Sequence, residues 1–366
     1  MTIRATDGTG IGYAEAFSPS RPIMTTTSHP ASTPIEPPLV SVIVPTFNRF
    51  QFLREALESA IAQTHRQLEI IVSDDGASDQ VLNKIVTPLA DPRIVYRRNP
   101  TNLGMGLNIW TAFRAANGKY VATLHDDDRW EPEFLARLVP ALEADPALVV
   151  AFSDHHVIDA QGEFDTAHAD DNTRLWNRHT LAAGRVADLV RVAVVDGAVP
   201  SAMAAVFRRS LIDWADFPAE VGTFYDVWLN YLAARTGAPG YYCPERLTRY
   251  RVHGGNETRS WTQLSGRLRA LRQSEFVYRR HLGDPALASI TAHSARKYRR
   301  SVISLAITLL EAGQPGEAKA VLDRAAEIAP SRAYDLVAVG TRLPAWVLRD
   351  AIVLARRARG VARRLR

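Results

Sequence analysis

The sequence predicts an α/β protein built on a mostly parallel sheet. From residue 39 onward, short apolar runs typical of buried strands alternate with segments of helical spacing, and polar or acidic residues directly follow several runs. The carboxyl ends of parallel strands share one edge of a sheet, and ligands bind beyond that edge. The order of the elements therefore predicts both the fold class and the position of the functional site.

The N-terminal half of the sheet is predicted from repeated strand and helix units. Residues 39–44 form an apolar run suited to a strand buried on both faces, and a proline ends it. Residues 52–64 place apolar side chains three and four positions apart, which is the spacing of one helix face. A strand at 68–73, a short strand at 94–96 and a helix at 106–116 continue the alternation.

The pattern continues and then changes to helices alone. Further strands are predicted at residues 120–124 and 148–152, and further helices at residues 131–144 and 223–236. Nearer the C-terminus, residues 304–329 predict a helical hairpin with a Gly-Gln-Pro-Gly turn, without the repetition that a solenoid requires. We therefore expect a helical appendage behind the α/β domain.

Composition divides the chain into three expected regions. Residues 1–37 are rich in Thr, Ser, Pro and Gly and lack apolar periodicity, which predicts a disordered leader. Residues 38–260 carry the α/β pattern, and residues 261–366 form the helical appendage. No run approaches the roughly 20 apolar residues of a membrane span, so we expect a cytoplasmic protein. The lone Cys243 cannot form an internal disulfide, which fits a reducing compartment.

The net charge of +5 does not predict nucleic-acid binding, because much of the excess lies in arginines at the extreme C-terminus. Those arginines alternate with apolar residues at helical spacing, namely Val347, Ala351, Leu354, Ala358, Val361 and Leu365. Such a segment suits either a peripheral contact with the anionic inner face of a membrane or docking on the preceding helices. The sequence leaves both alternatives open.

Two acidic clusters at predicted strand ends mark the candidate site. Asp74 and Asp75 follow the strand at 68–73, and three aspartates at residues 126–128 follow the strand at 120–124. Adjacent carboxylates repel one another unless a cation or solvent offsets their charge. The clusters therefore predict a metal ion or a polar ligand at the edge of the sheet.

Several segments, in this order along the chain, resemble the motif series of family 2 glycosyltransferases. They are Val44-Pro45-Thr46-Phe47-Asn48-Arg49, Gln63-Thr64, Ile71-Val72-Ser73-Asp74-Asp75-Gly76-Ala77-Ser78-Asp79, Asn102-Leu103-Gly104, Leu124-His125-Asp126-Asp127-Asp128 and Tyr250-Arg251-Val252-His253. The resemblance implies the GT-A fold, a Rossmann-like, mostly parallel sheet that binds a nucleoside diphosphate sugar. It also implies a divalent cation, Mn²⁺ or Mg²⁺, as cofactor.

The same resemblance implies the donor pocket. Asp74 resembles the carboxylate that accepts the ring N–H of the base. The other residues that the resemblance places in this pocket are Pro45, Thr46, Asn48, Arg49, Asp75, Asn102, Gly104 and Asp126. From the residues alone, Asp75 also suits a turn, and Arg49 also suits an ion pair at the start of a helix.

The metal ligands implied by the resemblance are Asp127, Asp128 and His253. Asp127 matches the last Asp of the family's Asp-x-Asp motif, and His253 matches the His of its late Tyr-Arg-x-His segment. His125 stands where the family often has an Asp, and we expect a packed residue at the strand end. The alternatives are a helix-capping role for Asp128 and an exposed loop position for His253.

The catalytic base is expected at Asp226. The family commonly supplies the base from a Glu-Asp pair that opens a helix, but aligning Trp228 with the family's Trp puts Phe224 at the usual position. Asp226 lies two residues later, where it also fits a capping box that begins at Thr223. Glu220 is the reserve candidate.

The resemblance implies an inverting, metal-dependent glycosyltransferase. We expect it to move a sugar from a nucleoside diphosphate, UDP before others, to a hydroxyl of a glycan or lipid-linked acceptor in surface polysaccharide synthesis. The alternative is an inactive nucleotide-sugar-binding module, which His125 and the displaced base suggest. The turn after the first strand lacks the Gly-rich loops of nucleotidyltransferases and of dinucleotide-dependent oxidoreductases.

Overall fold

The computed structural model describes residues 36–255 and 261–341, which form a mixed sheet flanked by helices. The strands are β1 Val40–Thr46, β2 Leu68–Asp74, β3 Ile94–Arg98, β4 Tyr120–Thr123, β5 Arg129–Trp130, β6 Val150–Ile158, β7 Gly184–Val186, β8 Ala205–Arg208 and β9 Gly240–Arg251. The helices are α1 Leu53–Ile61, α2 Thr87–Leu89, α3 Met105–Ala115, α4 Phe134–Ala144, α5 Thr166–Leu175, α6 Tyr225–Arg235, α7 Leu264–Leu282, α8 Thr291–Glu311, α9 Pro315–Ile328 and α10 Arg332–Gly340.

The strand order is β3-β2-β1-β4-β8-β6-β9-β5, and β7 pairs with β9. The first four strands in this order are parallel, with Val40 opposite both Leu68 and Tyr120. The predicted α/β fold is therefore confirmed. Beyond β4 the sheet is mixed, because β8, a short strand that the sequence pattern did not reveal, lies antiparallel between β4 and β6.

The insertion of β8 still leaves the functional ends of the strands together. Because β8 runs antiparallel to both of its neighbours, β6 points in the same direction as β4. Strand β9 is in turn parallel to β6. The carboxyl ends of β1, β2, β4, β6 and β9 consequently lie at one edge, which brings segments near residues 46, 74, 126 and 253 together.

Helices cover the sheet on two faces, each with its own apolar core. One core includes Phe113, Phe152 and Trp228, and the other includes Val42 and Leu138. At about 25 cal/mol per Å² of buried apolar surface, side chains of this size supply most of the free energy that favours folding. The two cores hold the strands in register and so fix the positions of the residues at their ends.

The predicted helix at residues 223–236 begins later, at Tyr225. A short turn of 3-10 helix, Ala219–Phe224, precedes it, and Gly222 inside this turn has φ +53° and ψ −124°. A Cβ at Gly222 would lie 2.0 Å from Gln273 Nε2, and one at Gly106 would lie 1.9 Å from the carbonyl oxygen of Gly222. Three segments distant in sequence thus approach one another closely at this point.

The predicted helical appendage is present. Helices α8 and α9 form the expected hairpin, with Gly313 at φ +72° in its turn, and they share a core with α10 around Tyr298, Leu305 and Leu322. Helix α7 packs against α8 on one side and against Ala219–Phe224 on the other. The predicted leader, apart from residues 36 and 37, and the basic C-terminal segment lie outside the described residues. Among the helices that are described, none is both long and apolar enough to cross a bilayer.

We predict that Gly222→Ala lowers the free energy of unfolding by about 1–3 kcal/mol. The positive φ disfavours any side chain, and the new methyl group meets Gln273. Urea denaturation measures the effect. The matched control is Gly316→Ala in the first turn of α9, where a Cβ meets nothing within 4 Å; it should stabilise by about 0.4–1 kcal/mol. Equal effects of the two substitutions would contradict the prediction.

Candidate active site

Three consecutive buried carboxylates follow β4 at the carboxyl edge of the sheet. Asp126 and Asp127 are each 5% exposed and Asp128 is 1% exposed. Charged groups out of water are costly unless partners compensate them. The surrounding residues are therefore organised around these three side chains.

Arg251, at the end of β9, is the main structural partner of the cluster. Its backbone N–H donates to Asp128 Oδ1 at 2.9 Å, and its Nε donates to the backbone carbonyl of Asp127 at 2.8 Å. One terminal nitrogen donates to Glu55 Oε2 on α1 at 2.7 Å, and the guanidinium lies 4.4 Å from the ring centroid of Phe52. Arg251 thus joins β9, α1 and the acidic turn.

Asp127 is held from two sides. Arg49 Nη1 donates to Asp127 Oδ2 at 3.1 Å and lies 3.6 Å from Asp126 Oδ1. His253 Nε2 lies 3.0 Å from the same oxygen of Asp127, and since a carboxylate only accepts, the imidazole donates this hydrogen bond. The expected proximity of Arg49, Asp126, Asp127 and His253 is therefore observed.

The electrostatics of the cluster favour the binding of positive charge. Burial and the neighbouring charge of Asp127 raise the pKa of Asp126 to about 7. The same two causes raise the pKa of Asp128 well above its ordinary value. Burial lowers the pKa of His125, which favours its neutral form. A cation at this position would offset the repulsion between the carboxylates.

The donor atoms present fit a divalent cation. His125, Asp127 and Asp128 each offer one ligand atom, and these atoms lie within 4.8 Å of one another. Carboxylate oxygens suit Mg²⁺ and Mn²⁺, and a neutral imidazole nitrogen can join them. The expectation that His125 is only a packed residue is incomplete, because its ring faces this cluster and its Nε2 lies 2.6 Å from Tyr225 Oη.

A cavity of about 370 Å³ opens beside the cluster. It contains most of the residues expected in the donor pocket, and those that line it are Pro45, Thr46, Arg49, Asp75, Asn102, Gly104 and Asp126. Asn48 and Asp74, which were expected with them, do not line it. The volume lies within the range of about 300–1,000 Å³ that is usual for small-molecule sites.

The two aspartates after β2 have different environments. Asp74 is fully buried and accepts from the backbone N–H of Gly76 at 2.8 Å and from Tyr96 Oη at 2.8 Å. Asp75 faces the cavity and accepts from the backbone N–H groups of Leu103 and Gly104, each at 2.9 Å. Asp75 therefore faces the cavity, whereas both oxygens of Asp74 accept hydrogen bonds and Asp74 does not line it.

A second cavity of about 510 Å³ adjoins the first. Ala219, Arg269 and Gln273 line both. Glu220 lines the second cavity and is exposed, whereas Asp226 lines neither, although burial raises its pKa. The expected base at Asp226 lies in the first turn of α6 and is thus outside the lining of both cavities.

Sequence reasoning missed the contributions of Tyr225, Arg269 and Gln273. Gln273 Oε1 accepts from Thr223 Oγ1 at 2.8 Å, although the two residues are 50 positions apart. No local pattern marks such a contact. For Tyr225, its place directly before Asp226 at the start of a predicted helix was the only available signal.

The comparisons with known proteins agree with this geometry. The family model "Glycosyl transferase family 2" matches residues 41–212. An uncharacterized glycosyltransferase of Haemophilus influenzae is 30% identical over 227 residues, which are 61% of this chain and 68% of that protein.

The chain belongs to glycosyltransferase family 2. It is therefore a transferase enzyme. A shorter match, 38% identity over 100 residues, links this glycosyltransferase to the putative colanic acid biosynthesis glycosyl transferase WcaA of Escherichia coli. That match covers 27% of this chain and 36% of WcaA.

The solved structures bear out the GT-A fold of the glycosyltransferase. The crystal structure of S. aureus TarS aligns with a TM-score of 0.56 at 16% identity, over 82% of this chain and 52% of TarS. TarS residues 1–349 in complex with UDP-GlcNAc align with a TM-score of 0.50 at 16% identity, over 83% of this chain and 91% of that one. At this identity the likeness concerns the fold alone.

We predict that Arg251→Met lowers the free energy of unfolding by roughly 2–4 kcal/mol. It removes charge-assisted hydrogen bonds and leaves buried carboxylates less well compensated. The control is Arg129→Met, because Arg129 lies near the same Glu55 oxygen, at 3.5 Å, but is partly exposed. That change should cost less than about 1 kcal/mol. Guanidinium denaturation measures the free energy of unfolding of both variants. A loss below about 1 kcal/mol for Arg251→Met would refute the role of Arg251 as the main structural partner of the acidic cluster.

Proposed function

We propose that the enzyme is an inverting, metal-dependent transferase that moves a sugar from UDP to a hydroxyl of a glycan or lipid-linked acceptor. The observation that carries the proposal is the position of the first cavity, which has Asp75 on its wall and the His125, Asp127 and Asp128 cluster at its side. A nucleoside diphosphate needs hydrogen-bond acceptors for its base and positive charge for its phosphates. Asp75 would meet the first requirement, and Arg49 together with a cation held by the cluster would meet the second.

The nucleoside is proposed to bind near Asp75. Two backbone N–H groups and Asn99 Nδ2 already hold the carboxylate of Asp75, so its orientation is fixed before a ligand arrives. Among the described residues, Oδ2 accepts one hydrogen bond, from the backbone N–H of Gly104, and an additional lone pair can accept the ring N–H of uracil. Pro45 and Thr46, at the end of β1, line the cavity and would contact the base. The complex of TarS with UDP-GlcNAc supports a uridine donor.

The diphosphate is proposed to lie at the acidic cluster. His125, Asp127 and Asp128 would hold a divalent cation, Mn²⁺ or Mg²⁺, with His253 orienting Asp127 through its hydrogen bond. When bound, such a cation offsets the charge of the phosphates and of the leaving nucleoside diphosphate. Arg49, partly exposed at the cavity wall, can donate to a phosphate oxygen.

Glu220 is the proposed catalytic base. A base must come within hydrogen-bond reach of the attacking hydroxyl, so geometry takes precedence over pKa. Glu220 lines the cavity next to the proposed donor site, whereas the earlier candidate Asp226 lines neither cavity. Asp226 would then serve the start of α6, where its backbone carbonyl accepts from Ser201 Oγ.

The proposal extends to the pathway of the enzyme and to its location in the cell. The likeness to WcaA, named for colanic acid biosynthesis, supports a role in surface polysaccharide synthesis. A cytoplasmic enzyme at the inner face of the membrane would meet a lipid-linked acceptor there. The basic C-terminal segment is the candidate for that contact, because its arginines suit anionic lipid.

We predict that UDP with Mn²⁺ raises the melting temperature of the wild-type enzyme more than GDP, dTDP or CMP does, each tested with Mn²⁺. At about 100 times its dissociation constant, a ligand adds about 2.7 kcal/mol to the stability of the folded state. Asp127→Asn should abolish the Mn²⁺-dependent part of the shift. Asp323→Asn, which alters an exposed pair with Lys319 on α9, is the control and should retain it. A shift that does not require Mn²⁺ would overturn the metal assignment.

We predict that Glu220→Gln slows the release of UDP from UDP-GlcNAc by about 10²–10⁴-fold while UDP affinity stays unchanged. The reason is that general-base assistance is lost but the donor pocket remains intact. Enzyme-coupled detection of UDP measures the rate, and calorimetry measures the affinity. Asp226→Asn should lose less than tenfold; a larger loss there than in Glu220→Gln would return the base to Asp226.

A further inference from the structure

We propose that the second cavity is the acceptor subsite and that it binds a neutral sugar unit of the acceptor, with helix α7 of the helical region as one wall. The inference rests on the proposed function, which places the donor in the first cavity. It adds the location of the acceptor and its chemical class. It also gives the helical region a part in substrate recognition.

The position of the second cavity, beside the donor cavity, supports its assignment to the acceptor. Ala219, Arg269 and Gln273 line both cavities, so the two spaces are neighbours. Sugar transfer requires the attacking oxygen about 3–3.5 Å from the reacting carbon. An acceptor must therefore bind directly beside the donor, and the second cavity adjoins the donor cavity at these three residues.

The residues that line the second cavity favour a sugar as its ligand. The wall mixes hydrogen-bond donors and acceptors, which include Ser265, Arg272 and Gln273 on α7 and the carboxylate of Glu220. Each hydroxyl of a sugar both donates and accepts, so neighbouring hydroxyls suit a wall of this kind. Leu268 and Phe276 add apolar surface for the C–H groups of the ring.

The ion pairs favour a neutral sugar over an anionic acceptor. Arg272 donates to both carboxylate oxygens of Glu317 on α9, at 2.8 and 2.9 Å. Arg279, also on the cavity wall, donates to Glu275 at 3.1 Å. Carboxylates thus already balance these two guanidinium groups, which reduces the attraction for a phosphate or carboxylate ligand. Their remaining N–H groups can still donate to neutral oxygens.

The wall is fixed in place, as a binding site requires. Gln273 is 7% exposed and its Oε1 accepts from Thr223, which lines the donor cavity. On the far side of α7, Arg267 donates to Glu311 of α8 at 2.6 Å. Helix α7 is therefore tied both to the donor site and to the rest of the helical region, and little reorganisation is needed on binding.

The experiment compares Ser265→Trp and Arg272→Ala with the wild type. Both positions are exposed residues of α7 that line the second cavity and not the first, so donor binding should persist. The Trp side chain at position 265 fills the cavity, and the loss of the Arg272 guanidinium removes a hydrogen-bond donor from its wall. Arg300→Ala, at an exposed position on α8 that lines neither cavity, is the matched control. Circular dichroism establishes that each variant is folded.

Calorimetry measures the affinity for UDP with Mn²⁺, and an array of neutral and phosphorylated or acidic glycans, probed with UDP present, measures acceptor binding. We expect the wild type and Arg300→Ala to bind neutral glycans. Ser265→Trp and Arg272→Ala should lose that binding tenfold or more, while their UDP affinity stays within twofold of the wild type. A wild type that does not bind UDP with Mn²⁺ would instead refute the proposed function.

Three results would overturn the inference while leaving the proposed function intact. The first is a wild type that binds UDP but no glycan. The second is unchanged glycan binding in both variants. The third is a preference for phosphorylated or acidic glycans, which would assign the cavity to an anionic acceptor.

Discussion

The burial of three adjacent carboxylates at the end of β4 is the constraint on which the rest of the site depends. Like charges this close together in a poorly hydrated place raise the free energy of the folded state unless positive charge surrounds them. Arg251 at the end of β9 and Arg49 from the turn after β1 provide that charge, and His253 donates a hydrogen bond to Asp127. These groups come from two distant parts of the chain, the turn after β1 and the end of β9, so the site forms only when these strands have come together.

The topology explains how these groups meet. Strand β8 lies antiparallel between β4 and β6, so β6 runs in the same direction as β4, and β9 is parallel to β6. The ends of β4 and β9 then face the same edge. The stability of the fold, which derives from the apolar cores, therefore supports a cluster that is itself unfavourable, as is common at functional sites.

Much of this could be predicted from the sequence, and the failures have physical causes. The strand runs and motif order predicted the edge at which Arg49, Asp127 and His253 meet, because strand ends are local features. That Asp75 rather than Asp74 faces the cavity goes with the contact of Asp74 with Tyr96, which is a contact between strands. Likewise, the predicted helix at 223–236 begins only at Tyr225, after a turn in which Gly222 has an unusual φ. Contacts of this kind have no signature in a local pattern.

The close approach of Gly106, Gly222 and Gln273 has a consequence for how this enzyme could diversify or be engineered. Helices appended to a catalytic domain are often treated as parts that can be exchanged. Here the backbone at the start of α3, the turn before α6 and one side chain of α7 fit together with no room for a methyl group. A chimera that received foreign helices after residue 261 would therefore need to import the 219–224 turn with them, or lose the wall between its two cavities.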